Sequence, residues 1–154
     1  MIVGVPREIK NNEYRVGLTP AGVHTFVAAG HKVIVEAGAG LGCGILDADY
    51  EEAGANLVAG PQDIYGNADM VIKVKEPLEP EFSLIRAGQV VYTYFHFAAD
   101  ETLTLAMRDR GAVCIAYETM TNDGRTLPLL TPMSEVAGRM SVQEGAKYLE
   151  RPTE

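Results

Sequence analysis

The sequence predicts an α/β protein built on a parallel β-sheet with helices on both faces. Two observations carry that reading. Short, nearly continuous apolar runs recur along most of the chain, and helix-type segments with recognisable caps and stops separate them. Strands that are apolar almost throughout have no wet face, so the sheet must be covered on both sides.

Ile2–Val5 reads as the first strand. Thr19-Pro20 supplies an N-cap and a first-turn proline, and Gly30 closes the helix that follows. Val33–Glu36 is the second strand. Asp47 is expected to cap a short helix over Ala48–Ala53, with a weak strand near Asn56–Val58. A brief helix around Gln62–Gly66 precedes the strand Met70–Val74. Residues 79–87, with Pro77 and Pro80 near their start, give another short helix before the strand Val90–Tyr94. Asp100 caps a helix over 101–110, Gly111 ends it, and Ala112–Ala116 is the last clear strand. Strand order cannot be read from spacing.

The tail behaves differently. Asn122-Asp123-Gly124 signals a turn, and Thr126–Leu130 reads as a short strand or hairpin arm. Thr131-Pro132 opens a helix through about Leu149, with Pro152 beyond it. Gly138 and Gly145 lie inside this helix at about 1 kcal/mol each relative to alanine. Seven residues apart, they share a face and would admit another backbone. The chain ends soon afterwards without a further strand, which reads as abrupt.

At 154 residues, 47% hydrophobic and 22% charged, the chain suits one soluble domain. A net charge of −8 and a pI near 4.9 argue against nucleic acid, since nothing resembles a basic stripe. No leader-like segment and no apolar stretch near the ~18 residues of a membrane span are present. A cytoplasmic location is expected, with Cys43 and Cys114 as reduced, partly buried thiols. No metal-ligand spacing and no nucleophile elbow occur. His24 and His31 read as surface or packing residues. The carboxylates Glu51, Glu52, Glu79 and Glu81 read as solvated helix faces.

Chemistry concentrates elsewhere. Arg15, Lys75 and His96 each follow a predicted strand, so in a parallel sheet all three emerge at the carboxyl edge, where open α/β sheets bind ligands. Cations gathered at one edge of an acidic chain suit a small anion. Guanidinium binds carboxylate in bidentate fashion, and lysine stabilises developing negative charge. His96 sits between Tyr92-Thr93-Tyr94-Phe95 and Phe97-Ala98-Ala99, where apolar surroundings can tune an imidazole for proton transfer. The glycine-rich segment Gly38-Ala39-Gly40-Leu41-Gly42-Cys43-Gly44 invites a dinucleotide-binding reading, but its spacing fails in both registers, at Cys43 or at Ile45. It is expected to be a mobile, turn-rich loop. The fold class is therefore Rossmann-like without the glycine-rich dinucleotide fingerprint.

Four stretches resemble alanine dehydrogenases: Gly4-Val5-Pro6-Arg7-Glu8-Ile9-Lys10 with Glu13-Tyr14-Arg15-Val16 and Thr19-Pro20; Val71-Ile72-Lys73-Val74-Lys75-Glu76-Pro77; Tyr94-Phe95-His96-Phe97-Ala98; and Leu129-Leu130-Thr131-Pro132-Met133-Ser134-Glu135-Val136-Ala137-Gly138-Arg139. The resemblance implies reversible, NAD-dependent oxidative deamination of L-alanine to pyruvate and ammonia, in a cytoplasmic homohexamer. It implies that Arg15 and Lys75 bind substrate and that His96, with Lys75, is catalytic. It places Tyr94, Leu130 and Met133 in the substrate pocket and Ser134 against the cofactor. It further implies that residues 1–131 are the first segment of a substrate domain, 132–150 an interdomain connecting helix and 151–154 a tail, with the NAD-binding domain absent from this chain and the fragment inactive alone. Two alternatives stand beside it. One is a fragment of the nucleotide-binding subunit of a proton-translocating transhydrogenase, which would not need Lys75 and His96. The other is a non-catalytic module that binds a small carboxylate.

Overall fold

A computed structural model of the chain describes residues 1–150; the expected tail at 151–154 lies outside the described residues. The chain divides into two compact units, the first being Met1–Ala116 and the second beginning at Tyr117.

The first unit holds strands β1 (Ile2–Val5), β2 (Lys32–Glu36), β3 (Asn56–Val58), β4 (Met70–Lys75), β5 (Val90–Tyr94) and β6 (Val113–Ala116). Between them run helices α1 (Pro20–Ala28), α2 (Asp47–Glu52), α3 (Pro61–Asn67), α4 (Glu79–Phe82) and α5 (Glu101–Arg110). All strand pairs are parallel, in the order β3-β2-β1-β4-β5-β6. This is the doubly wound order, and the chain reverses direction across the sheet between β1 and β4.

Period-two alternation sends side chains to opposite faces. Val3, Val5, Val33, Val35 and Ile72 share one core with Val23 of α1 and Tyr50 of α2. Val71 and Val91 share the other with Ile64 and Tyr65 of α3 and Leu103 and Met107 of α5. Helices therefore cover both faces, as the apolar strands require. On the α3 side, Gly4 leaves room for the helix: a Cβ there would stand 2.7 Å from the Ala68 Cβ and 2.8 Å from the Ile64 Cγ2.

Several local expectations need correction. Asp47 does not cap α2, because its carboxylate accepts from the Gly38 N–H at 2.8 Å, and Asp49 accepts from Leu46 N–H at 2.7 Å instead. Thr19 takes the N-cap position of α1 with no side-chain capping bond. The helix expected over 79–87 is the single turn α4, and β4 runs one residue further than read, taking in Lys75. Asp100 does cap α5, accepting from Leu103 N–H at 2.9 Å, and Gly111 closes it with φ 67°.

The second unit contains helix α6 (Thr131–Leu149). No strand forms at Thr126–Leu130. The Asp123 Oδ1 accepts from the backbone N–H of Arg125 at 2.9 Å and of Thr126 at 2.7 Å, so a side-chain turn takes donors a strand would need. Nothing approaches within 4 Å of a Cβ built at Gly138 or Gly145 among the described residues, so the close approach expected there is not made within this chain.

Candidate active site

The carboxyl ends of β1, β4 and β5, three neighbouring strands, carry the segments holding Arg15, Lys75 and His96. The long loop after β1 reaches over the ends of both strands that flank it. Arg7 N–H donates to Glu36 Oε2 of β2 at 2.9 Å. Glu8 Oε1 accepts from the Val74 N–H at 2.6 Å and the Lys75 N–H at 3.3 Å. Lys10 pairs with Glu76 just beyond β4. These ties hold the loop as firmly as the strands it bridges.

Beneath them lies a buried ionic group. Lys73 points into the core from the middle of β4, with its Nζ 2.8 Å from Glu81 Oε1 and 3.4 Å from Glu8 Oε2. The Tyr65 hydroxyl donates to the same Glu81 oxygen at 2.8 Å. Burial pushes the Glu8 carboxyl upward, while Lys73 and the two strand amides pull it back. Burial and the adjacent Glu81 carboxylate raise the Tyr65 hydroxyl well above its ordinary range. Glu81 is thus buried rather than solvated; Glu51, Glu52 and Glu79 are exposed as expected. A lysine inside a strand covered on both faces needs a buried counter-charge, and that is the signal that could have located it.

Lys75 ends β4 at an irregularity. Ile72 pairs with Tyr92 and Lys75 with Tyr94, so β4 carries one residue more than β5 over this stretch. Such bulges re-aim side chains beside functional sites. The Lys75 carbonyl accepts from the Thr93 hydroxyl at 2.8 Å, while its N–H is held by Glu8.

His96 is exposed, not embedded as its aromatic neighbours suggested. Phe95, just past the end of β5, packs into the core with its ring stacked on Phe97 at 4.4 Å, while the chain turns outward at His96. Its imidazole lies nearly parallel to the Tyr94 ring, with centroids 6.2 Å apart. The backbone at His96 is left-handed, φ 55° and ψ 38°, a conformation costing roughly 1–3 kcal/mol for a non-glycine residue.

Arg15 is gripped by Glu13. Oε1 accepts from the Arg15 Nε at 2.8 Å and from its backbone N–H at 2.9 Å, and Oε2 accepts from Nη2 at 2.6 Å. Those bonds hold the Glu13 carboxyl down at about 2, helped by the charge of Lys75, and they raise the Arg15 guanidinium. Both residues border a cavity of about 220 Å³ with Glu8, Tyr14 and the Gly38–Gly42 turn. Lys75 and His96 do not line it. Lys75 and His96 are related to Arg15 by the adjacency of their strands, and the charge of Lys75 reaches Glu13.

The glycine-rich segment proves to be a hydrogen-bonded turn around Leu41–Cys43. Gly42 lies against Tyr14, where a Cβ would stand 2.5 Å from the carbonyl oxygen that also accepts from Cys43 Sγ at 3.1 Å. Cys43 is exposed and Cys114 half-buried, both as free thiols. His24 is exposed, and His31 packs obliquely against Phe26 at 5.9 Å.

In the second unit, Leu130 and Ser134 line an open recess of about 590 Å³ with Arg125, Thr126 and Glu135. Met133 lies partly exposed on the same helix start. Among the described residues no cluster of His, Cys, Asp or Glu could hold a metal, and no helix is long and apolar enough to cross a membrane.

Fold and edge together define an open, doubly wound α/β domain whose carboxyl edge carries cations paired with carboxylates. The chain belongs to the family described as alanine dehydrogenase/PNT, N-terminal domain, matched over residues 4–137. It is 57% identical to alanine dehydrogenase of Bacillus subtilis over 152 residues, and 56% identical to that of Methanococcus maripaludis over 151. Each alignment covers nearly all of this chain and 40% of the relative, so the chain spans well under half the length of these proteins. A solved L-alanine dehydrogenase superposes with a TM-score of 0.91 at 52% identity, over 98% of this chain and 42% of that one. A transhydrogenase from Sinorhizobium meliloti superposes with a TM-score of 0.75 at 35% identity, over 81% of this chain and 36% of the other.

Proposed function

We propose that this chain is the first segment of the substrate domain, with its connecting helix, of an NAD-dependent alanine dehydrogenase. The parent enzyme interconverts L-alanine with pyruvate and ammonia and assembles as a homohexamer in the cytoplasm. What supports this reading is that the segments carrying Arg15, Lys75 and His96 belong to three neighbouring strands, β1, β4 and β5, beside the β1/β4 switch point, where ligands of doubly wound sheets bind. Higher identity to alanine dehydrogenases than to the transhydrogenase supports it over that alternative.

Arg15 binds the carboxylate of pyruvate or alanine. Lys75, its backbone held by Glu8 and Thr93, donates to the carboxylate and the carbonyl oxygen and stabilises the charge that develops there. His96, at the rim where both water and substrate reach it, transfers the proton as the carbinolamine forms and collapses. Tyr94 flanks the imidazole, with ring centroids 6.2 Å apart.

The residues of this chain do not build a dinucleotide cradle. The turn after β1 is Pro6-Arg7-Glu8, and Gly42 is filled by the chain's own Tyr14 backbone. NAD would be held mainly by a domain outside this chain, with Ser134 contributing from α6. Without that domain the fragment is expected to have no useful turnover.

In the full-length enzyme, His96→Ala is expected to lower kcat by at least about a hundredfold. Arg15→Ala is expected to raise the KM for pyruvate by a similar factor. Near-normal kinetics in both variants would refute the reading.

A further inference from the structure

We propose that Glu13 is the positioning residue for the arginine that receives the substrate carboxylate. It fixes both the loop backbone and the plane of the guanidinium, and it stays in place when substrate binds. The inference rests on the reading of Arg15 given above. An arginine on an outward-facing loop loses much rotamer freedom on being aimed, so an unaided Arg15 would bind weakly. Three hydrogen bonds from one carboxylate remove that freedom before substrate arrives. They engage Nε and Nη2 together with the backbone N–H.

The alternative role, a carboxylate that steps aside for the substrate, does not fit the burial. The Glu13 side chain is 6% exposed and that of Arg15 44%, so the anion lies under the cation rather than over it. A ligand that displaced Glu13 would leave a buried charge stranded, which costs more than a second carboxylate gains. The low Glu13 pKa of about 2 keeps it ionised across the working range. Lys75, whose charge also favours the ionised form, lies on the same rim.

The test is steady-state reductive amination of pyruvate by the full-length enzyme carrying Glu13→Gln, Glu13→Asp or Arg15→Ala, alone and combined. Glu13→Gln is expected to raise the KM for pyruvate about tenfold, while kcat falls by no more than about threefold. That penalty should stay constant between about pH 6 and 9, since a group ionised throughout has nothing to titrate there. Glu13→Asp, which keeps the charge on a shorter stem, should recover part of the loss, and it carries the test should the glutamine variant fail to fold. In the Arg15→Ala background, Glu13→Gln should add nothing. An equal penalty with and without Arg15, or a lowered KM from Glu13→Gln, overturns the positioning role. An unchanged KM in Arg15→Ala instead overturns the function assigned to Arg15, so the two failures are distinguishable.

Discussion

The unit Met1–Ala116 and helix α6 handle apolar side chains in opposite ways. The sheet unit encloses its valines and aromatic residues in two cores, one on each face. Helix α6 buries none of its residues and leaves Val136, Met140, Val142 and Tyr148 at least half exposed. The difference separates two sources of structure. In the sheet unit, each side chain is held by neighbours distant in sequence. In α6, which has Pro132 in its first turn and no side-chain bond at its N-cap, the apolar side chains stay largely outside, and intrinsic propensity carries more of the helix.

The contrast can be broken at several points. The largest effect is expected from Lys73→Ala, which leaves Glu8 and Glu81 buried without their cation. It should cost about 3–5 kcal/mol by urea denaturation of the chain, whereas Val142→Ala should stay within about 0.5 kcal/mol. A small loss at Lys73 would show that the buried ionic group contributes little. Next, Gly4→Ala drives a methyl into Ala68 and Ile64 and should cost about 1–3 kcal/mol by the same measurement.

Acid should then act through the sheet unit. The Glu13 carboxyl lies at about 2 when folded against an ordinary 4.5, so the unfolded chain takes up its proton first as pH falls. The stability Glu13 contributes is fully present above about pH 5 and is lost on the way down to about pH 2. Burial raises Glu8, so it works with the opposite sign, favouring the fold below its ordinary range and losing that contribution as pH rises through its folded value. Thermal melts of Glu13→Gln between about pH 5 and 3 should show a flatter decline than the parent chain. A decline of equal slope would mean that the Arg15–Glu13 grip is not made in solution.

The smallest effect is a gain. Gly138→Ala and Gly145→Ala meet no atom in α6 and should each strengthen the helix by about 1 kcal/mol or less, read as increased helical ellipticity. Either substitution lowering the melting temperature would mean that something in solution approaches the glycine face.

Most of the architecture was legible because apolar strands and helix punctuation are local signals. Strand order was not, since crossover lengths alone do not say on which side of β1 the chain returns. The carboxyl-edge placement of Arg15, Lys75 and His96 followed from a parallel sheet in any order. The surroundings of those residues were harder to read. Aromatic neighbours suggest an enclosed His96, but Phe95 takes the interior and His96 lies past the end of β5 with a left-handed backbone. A helix over 79–87 puts Glu81 on a solvated face, but the helix stops after one turn and Glu81 meets Lys73 and Tyr65 inside. Glu13 escaped notice because two residues apart in a loop is a distance with no periodic signature. Each miss concerns a polar group whose partner is chosen by tertiary contact or loop geometry, which hydrophobic patterning cannot encode.

The additional residue in β4 has a consequence for how such a rim could change over time. Side chains on a strand alternate with a period of two, so deleting one residue between Ile72 and Lys75 would move the Lys75 side chain to the opposite face of the sheet. Substitution at this rim can be gradual. A change in the length of that strand end cannot be, because one codon decides which face of the sheet carries the cation.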